Sequence, residues 1–190
     1  MIDFLFVILQ IILLIILLGT TTLFLLWIIG NLRNRVPFVM ASRGVMEDVC
    51  KALQIKDDSV VYDLGCGDGR ILFYLSSQNK KAKYIGIENN ILAVMLAKLG
   101  SILNQKKTNN KVKIINGNFF KHDLSEASHI FVYLYPNMMD DLLLKFDREL
   151  KKGTRLVSLS FQFTNKRPIA EIDLNRSKYK LGRKLYIYNF

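Results

Sequence analysis

The chain has 190 residues, 51% of them apolar, and a formal charge of +11. That composition excludes disorder, collagen and coiled coil, and two cysteines alone exclude a disulfide scaffold. The apolar residues are uneven: residues 1–30 hold 23 of them and one charge, Asp3, whereas residues 31–190 carry all 27 lysines and arginines.

Phe4 to Ile29 is an apolar run interrupted by Gln10, Gly19 and Thr20-Thr21-Thr22. As a helix it spans about 39 Å at 1.5 Å per residue, enough for a bilayer core of about 30 Å. No basic segment precedes it and no small-x-small site follows, so a cleaved signal peptide is not expected. A mitochondrial presequence would be amphipathic and Arg-rich, which this run is not. A buried core helix would need more downstream chain to cover all its faces. Trp27 falls where an interfacial aromatic belongs, and Arg33 and Arg35 follow. Positive charge on that side predicts a cytoplasmic globular part. The expected organisation is a single membrane span over 1–30, a juxtamembrane linker over 31–41 and one α/β domain over 42–190.

In that domain Pro37 breaks the juxtamembrane segment. Ser42 caps a helix to about Leu53, with Val45, Met46, Val49, Cys50 and Leu53 on one face. Ser59–Leu64 reads as a strand, Arg70–Ser77 as a helix and Lys83–Glu88 as a second strand. Asn90 caps a helix to about Leu103. Val112–Ile115 is a third strand and His129–Leu134 a fourth. Asn137 is expected to cap the next helix, with Asp140 and Asp141 in its first turn, Lys151 and Lys152 in its last, and Gly153 ending it. Arg155–Phe163 and Lys184–Asn189 are the last strands. Strands separated by helices imply parallel pairing in a doubly wound sheet. Cys50 and Cys66 are expected as free thiols in a reducing compartment.

The strongest signal is Val61-Tyr62-Asp63-Leu64-Gly65-Cys66-Gly67-Asp68-Gly69-Arg70. A strand runs into a turn with glycine at every second position and then into a helix. Glycine permits positive φ and close approach of a ligand to the main chain. The dinucleotide fingerprint G-x-G-x-x-G would need a small residue where Arg70 stands. G-x-G-x-G with an acid two residues before it resembles the S-adenosylmethionine (SAM) loop of class I methyltransferases. That resemblance implies a Rossmann-like fold with a mostly parallel sheet, and SAM as cofactor. Asp63 then holds the SAM ammonium, Gly65, Gly67 and Gly69 face its amino-acid end, and Glu88 receives the ribose hydroxyls. Asn118, where the family often has an acid, and Phe119 would meet the adenine.

Two further motifs, Val36-Pro37-Phe38-Val39 and Tyr133-Leu134-Tyr135-Pro136, narrow the resemblance. With Asp63–Arg70 they look like the prokaryotic and mitochondrial family of small membrane-anchored protein lysine methyltransferases, over roughly Val36 to Arg167. Eukaryotic members modify the ATP synthase c subunit and the adenine nucleotide translocase. The resemblance implies a membrane-associated protein substrate and a prokaryotic inner-membrane location. Tyr133, Tyr135 and Pro136 would then shape the acceptor channel, both tyrosines being placed on one face of the fourth strand. A lysine nucleophile must lose its proton, and an apolar aromatic channel favours the neutral amine. The absence of an N-P-P-Y or D-P-P-Y motif argues against a nucleic-acid base. Lipid or quinone-type small molecules, and SAM binding without catalysis, stay open as alternatives. His122 and His129 lack partners at metal-ligand spacing, so no metal is expected. Ten cations stand against Glu171 and Asp173 from Lys151 to Phe190. Such a face is either a solvated surface or a contact for anions, and in a chain already held at a bilayer it suits anionic lipid better than nucleic acid.

Overall fold

The computed structural model describes residues 2–33, 41–110, 112–174 and 183–190. The chain divides into two units, Met1–Pro37 and Phe38–Phe190. The described residues of the first form one helix, α1, over Ile2–Arg33. Its segment Phe4–Leu25 has a mean hydropathy of 2.8 and none of it is buried by protein. The three threonines that interrupt the run return their hydroxyls to the helix. Thr20 and Thr21 donate to the Leu17 carbonyl at 2.9 Å, and Thr22 donates to Leu18 at 2.7 Å. The Val36–Val39 motif and Arg35 lie outside the described residues, as do the side chains of Trp27 and Arg33.

The second unit is built on one seven-stranded sheet. Its strands are β1 (Val60–Leu64), β2 (Lys83–Glu88), β3 (Val112–Asn116), β4 (His129–Val132), β5 (Arg155–Leu159), β6 (Ala170–Asp173) and β7 (Lys184–Asn189), in the order β3-β2-β1-β4-β5-β7-β6. The first five are parallel, while β7 runs antiparallel to both β5 and β6. The mostly parallel, doubly wound sheet expected from the alternating elements is therefore present. Strand order reverses between β1 and β4, which leaves a crevice at their carboxyl ends. The register aligns Leu64 with both Ile87 and Val132, and Glu88 with Asn116, so four strand ends share one edge.

The helices are α2 (Met46–Leu53), α3 (Arg70–Gln78), α4 (Ile91–Thr108) and α5 (Pro136–Glu149). Strand residues alternate between two cores, as the pleat requires. Val61, Phe131, Val157 and Ile187 pack with Val49, Leu53, Leu72 and Leu75 of α2 and α3. Tyr62, Leu64, Ile130 and Tyr188 pack with Met139, Leu142 and Phe146 of α5. Ser42 caps the short 3-10 turn Arg43–Val45 that leads into α2, accepting from the Gly44 amide, and Asn90 caps α4, accepting from the Ala93 amide.

Several element assignments differ from the sequence reading, among them a sixth strand, β6, and an α4 that runs past Leu103 to Thr108. The fourth strand ends at Val132 rather than Leu134. Asn137 is not a cap: Tyr135 is the N-cap residue of α5, and Pro136 takes its first position, where a missing N–H costs nothing. Asp140 instead receives Thr164, amide at 2.8 Å and hydroxyl at 2.6 Å. The helix ends at Glu149, before Lys151 and Lys152. The fifth strand stops at Leu159 because Ser160 turns into positive φ, 72°.

Candidate cofactor and acceptor site

The loop after β1 is a chain of left-handed turns. Gly65, Gly67 and Gly69 have φ of 78°, 57° and 80°. A Cβ at Gly69 would lie 2.7 Å from the Phe73 ring, so this position resists any side chain on two counts. The loop is tied to the end of β2. Gly65 donates its amide to the Ile87 carbonyl at 2.8 Å, and the Gly67 amide donates to Glu88 Oε2 at 2.9 Å. Glu88 Oε1 accepts the Asn89 and Asn90 amides, each at 2.8 Å. Glu88, nearly buried, thus staples the loop to the turn that starts α4. Its Oε2 keeps one lone pair for a ligand.

Cys66 fills space under this loop. A Cβ on Gly86, in the middle of β2, would stand 2.6 Å from Cys66 Sγ and 2.8 Å from Leu72. The glycine in KYIGIE is therefore the seat of Cys66. Burial pushes the Cys66 thiol far up, and Asp63 and Glu88 add to it. A thiol held protonated in this way is inert while the loop is closed.

Asp63 is 2% exposed at the end of β1. Burial holds its carboxyl well above the usual carboxylate range, and Glu88 and then Asp68 push it further. Both charges acting on it are negative. Asp68, by contrast, is ion-paired with Arg70 at 2.7 Å. Burial would raise Asp68, but the Arg70 hydrogen bonds hold it below its ordinary value. Among the described residues no cation stands beside this buried carboxyl, which ends β1 next to the glycine loop.

After β3, Asn118 turns the chain. Its Oδ1 accepts the Phe120 amide at 2.9 Å, which leaves its second lone pair and its NH2 group for other partners. Phe119 is mostly buried in the α5-side core, with the Phe120 ring 4.8 Å away. His122 lies with its ring 6.1 Å from Tyr62. His129 is buried at the start of β4, Nδ1 2.8 Å from the Ser128 hydroxyl, and burial lowers its pKa.

Beyond β4 the segment Tyr133–Tyr135 crosses toward the turn after β5. Strand alternation does not place these tyrosines, since the strand has ended; the turn does. Tyr133 is half-buried and hydrogen-bonded with Ser160, and burial raises its phenol. Tyr135 stacks on Phe161, ring centres 5.7 Å apart at 25°. Leu134, between them, packs on the glycine loop: a Gly65 Cβ would be 3.1 Å from its Cδ2. Pro136 is exposed at the head of α5. Ser160 and Phe161 carried no signal in the sequence, and Leu134 stood in its motif without a role, because each acts through a partner far along the chain.

The arrangement has known counterparts. The family model described as "ANTKMT methyltransferase domain" matches residues 63–170, which begin at Asp63. A protein-lysine N-methyltransferase of Saccharolobus islandicus is 33% identical over 153 residues, 80% of this chain and 92% of that protein. The human lysine N-methyltransferase for the ATP synthase c subunit is 29% identical over 133 residues, 70% of this chain and 55% of the human protein. The chain thus spans nearly all of the first relative and about half of the second. A Salinibacter ruber RNA methyltransferase, crystallised with S-adenosyl-L-homocysteine, superposes with a TM-score of 0.72 at 26% identity, covering 80% of this chain and 93% of that one. With the glycine loop and the sheet order, these matches make the chain a member of the ANTKMT methyltransferase family, a class I methyltransferase that uses SAM.

Proposed function

We propose that this enzyme methylates a lysine amine of a membrane-associated protein, acting from the cytoplasmic face of a membrane that its N-terminal helix spans. The observation that supports this reading is that Asp63, buried with no cation beside it among the described residues, ends β1 at the edge where Leu134 of the aromatic turn packs on the glycine loop. The names of the two curated relatives support lysine as acceptor. The Phe4–Leu25 helix supports the anchor: its 22 residues span about 33 Å, and its threonine hydroxyls are satisfied internally. On this reading residues 1–30 are the anchor, 31–41 a linker and 42–190 the catalytic domain, in a prokaryotic inner membrane.

The residues present fit SAM. Among the described residues Asp63 has no positive partner, a place the SAM ammonium would take, and Glu88 Oε2 has a lone pair left for a ribose hydroxyl. Gly65, Gly67 and Gly69 supply the positive φ that turns the loop's main chain toward the ligand. Asn118 has capacity to meet the adenine amino group, and the remaining exposed edge of Phe119 packs on that end. Bound SAM supplies an electrophilic methyl on its sulfonium. The chain's own residues align the acceptor and keep water away. A lysine amine starts near pKa 10.4 and must be neutral to act. The half-buried Tyr133 and Tyr135 disfavour the ammonium form there, and Pro136 turns the chain out of the acceptor's path.

The test is labelled SAM incubated with membranes from a strain lacking this chain, with and without the added enzyme. Enzyme-dependent label on a protein lysine, mapped by mass spectrometry, supports the reading. Label in RNA, in lipid or in a quinone-type molecule refutes it. Protease added to intact cells should spare residues 31–190; digestion from outside refutes the orientation.

A further inference from the structure

Helix α4 is built inside out. The side facing α3 and the sheet carries small or polar residues: Ala93, Val94, Ala97 and Ser101 are buried, and Gly100 sits so close to Phe73 that a Cβ would lie 2.5 Å from the ring. The outward side carries the large apolar ones. Met95, Leu96, Leu99, Ile102 and Leu103 are each 52–61% exposed. At about 100° per residue, these five fall within an arc of roughly 120°. Lys98 borders one edge of that arc, Lys107 borders the other, and Lys106 closes its C-terminal end. The 18 residues of α4 contain no Asp or Glu. A water-facing helix normally shows the reverse pattern. Isolated exposed apolar side chains need no explanation, but five contiguous ones on a single helix do.

We propose that this face of α4 is an interfacial membrane surface, which sinks its apolar arc among anionic lipid headgroups while its lysines reach the phosphates. The pattern is that of a helix lying in the plane of a bilayer: an apolar stripe flanked by cations whose stems are themselves apolar. Charge favours lipid over a second copy of the chain. A two-fold contact through α4 would bring lysines together with no acid on the helix to receive them. The placement goes beyond the lysine methylation reading. It draws support from the anchor reading, which puts the domain at a bilayer, but the face and its charge stand without it.

Two environment-sensitive labels test it in the full chain, reconstituted in phosphatidylcholine vesicles with and without phosphatidylglycerol. One is on Leu99→Cys. The other is on Leu144→Cys of α5, which is 72% exposed on the opposite side of the sheet. Both are made in a Cys50→Ser background, where Cys66 is buried. Lipids bearing a quencher on the acyl chain report contact. Trp27, the one tryptophan in the chain, reports the anchor in the same samples. The label at 99 should be quenched several-fold more than the label at 144, more strongly with phosphatidylglycerol. Changing Lys98, Lys106 and Lys107 together to Glu should remove the difference. Equal quenching at 99 and 144, whatever Trp27 shows, overturns the proposal. So does excimer formation between labels at 99 in detergent, which would assign the face to a second copy. Quenching at 99 without quenching of Trp27 refutes the anchor and leaves the α4 face in place.

Discussion

Glu88→Gln is the sharpest perturbation of the cofactor loop. The carboxylate accepts three backbone amides at 2.8–2.9 Å, from Gly67, Asn89 and Asn90. Glutamine keeps Oε1 for the two amides that start α4. At the Oε2 position it puts an NH2 group against the Gly67 N–H, donor facing donor. One charge-assisted bond to a buried amide is lost, about 1.5–3 kcal/mol, and the other two weaken as the charge goes. The total is about 2–4 kcal/mol. A domain of this size shifts its melting temperature by roughly 2–4 °C per kcal/mol, so a drop of about 5–15 °C is expected. Differential scanning calorimetry of the full chain in detergent measures it. Titration calorimetry should show SAM affinity falling by at least about tenfold, since Gly67 moves and a ribose acceptor disappears, a change of about 1.4 kcal/mol. A variant that melts within a degree of the native chain and binds SAM unchanged would refute both roles of Glu88.

Asp63 makes a pH signature. Its folded carboxyl holds a proton above the ordinary value near 3.9, so the ligand-free fold loses stability as pH rises from about 4 through the raised value. SAM binding should expel that proton, so affinity should rise with pH across the same window. Proton release, read from calorimetry in buffers of different ionisation heat, should vanish in Asp63→Asn, which should also be more stable than the native chain without ligand. Tyr133→Ala should lower kcat by about tenfold or more while SAM affinity stays within about twofold; equal losses in stability and activity would reduce this ring to packing. Gly86→Ala should cost about 1–3 kcal/mol by driving a methyl into Cys66 and Leu72. Cys66→Ala should restore part of that loss, and additive effects in chemical denaturation would show that the two do not touch.

The parts of this fold that the sequence announces are those whose cause is local. Lys83–Glu88 and Lys184–Asn189 begin and end in the structure where their β-branched and aromatic alternation begins and ends. The glycine loop is visible because positive φ at three alternate positions demands glycine. What stays hidden depends on partners. Ala170–Asp173 alternates apolar and polar over only four residues, too short a run to announce a strand, and all four are exposed; its pairing with the edge of β7 makes it one. Helix α4 runs five residues beyond Leu103 because Asn104, polar in sequence, donates both to Ser76 of α3 and to Thr108 one turn on. Ser160 and Phe161 join the tyrosine turn only after the sheet has closed. The exposed face of α4 was legible as periodicity but not as outward-facing, since a pattern does not say which side the sheet takes.

The seating of Cys66 makes the breathing of the cofactor loop chemically countable. In the closed loop the thiol is 7% exposed, wedged against the bare backbone of Gly86, and its proton is held by burial. A small alkylating reagent therefore reacts only during excursions in which the turn lifts off β2. When reclosing outruns the reagent, the labelling rate divided by that of a free thiol is the equilibrium constant for lifting, a free energy for this one turn rather than for the whole domain. Cys50, half-buried in α2 away from the turn, provides an internal second rate. A ligand that binds only the seated loop slows Cys66 by its own saturation factor and leaves Cys50 alone. A single thiol thus reads cofactor occupancy without any turnover, on membranes, in a mixture, and with an acceptor still unknown.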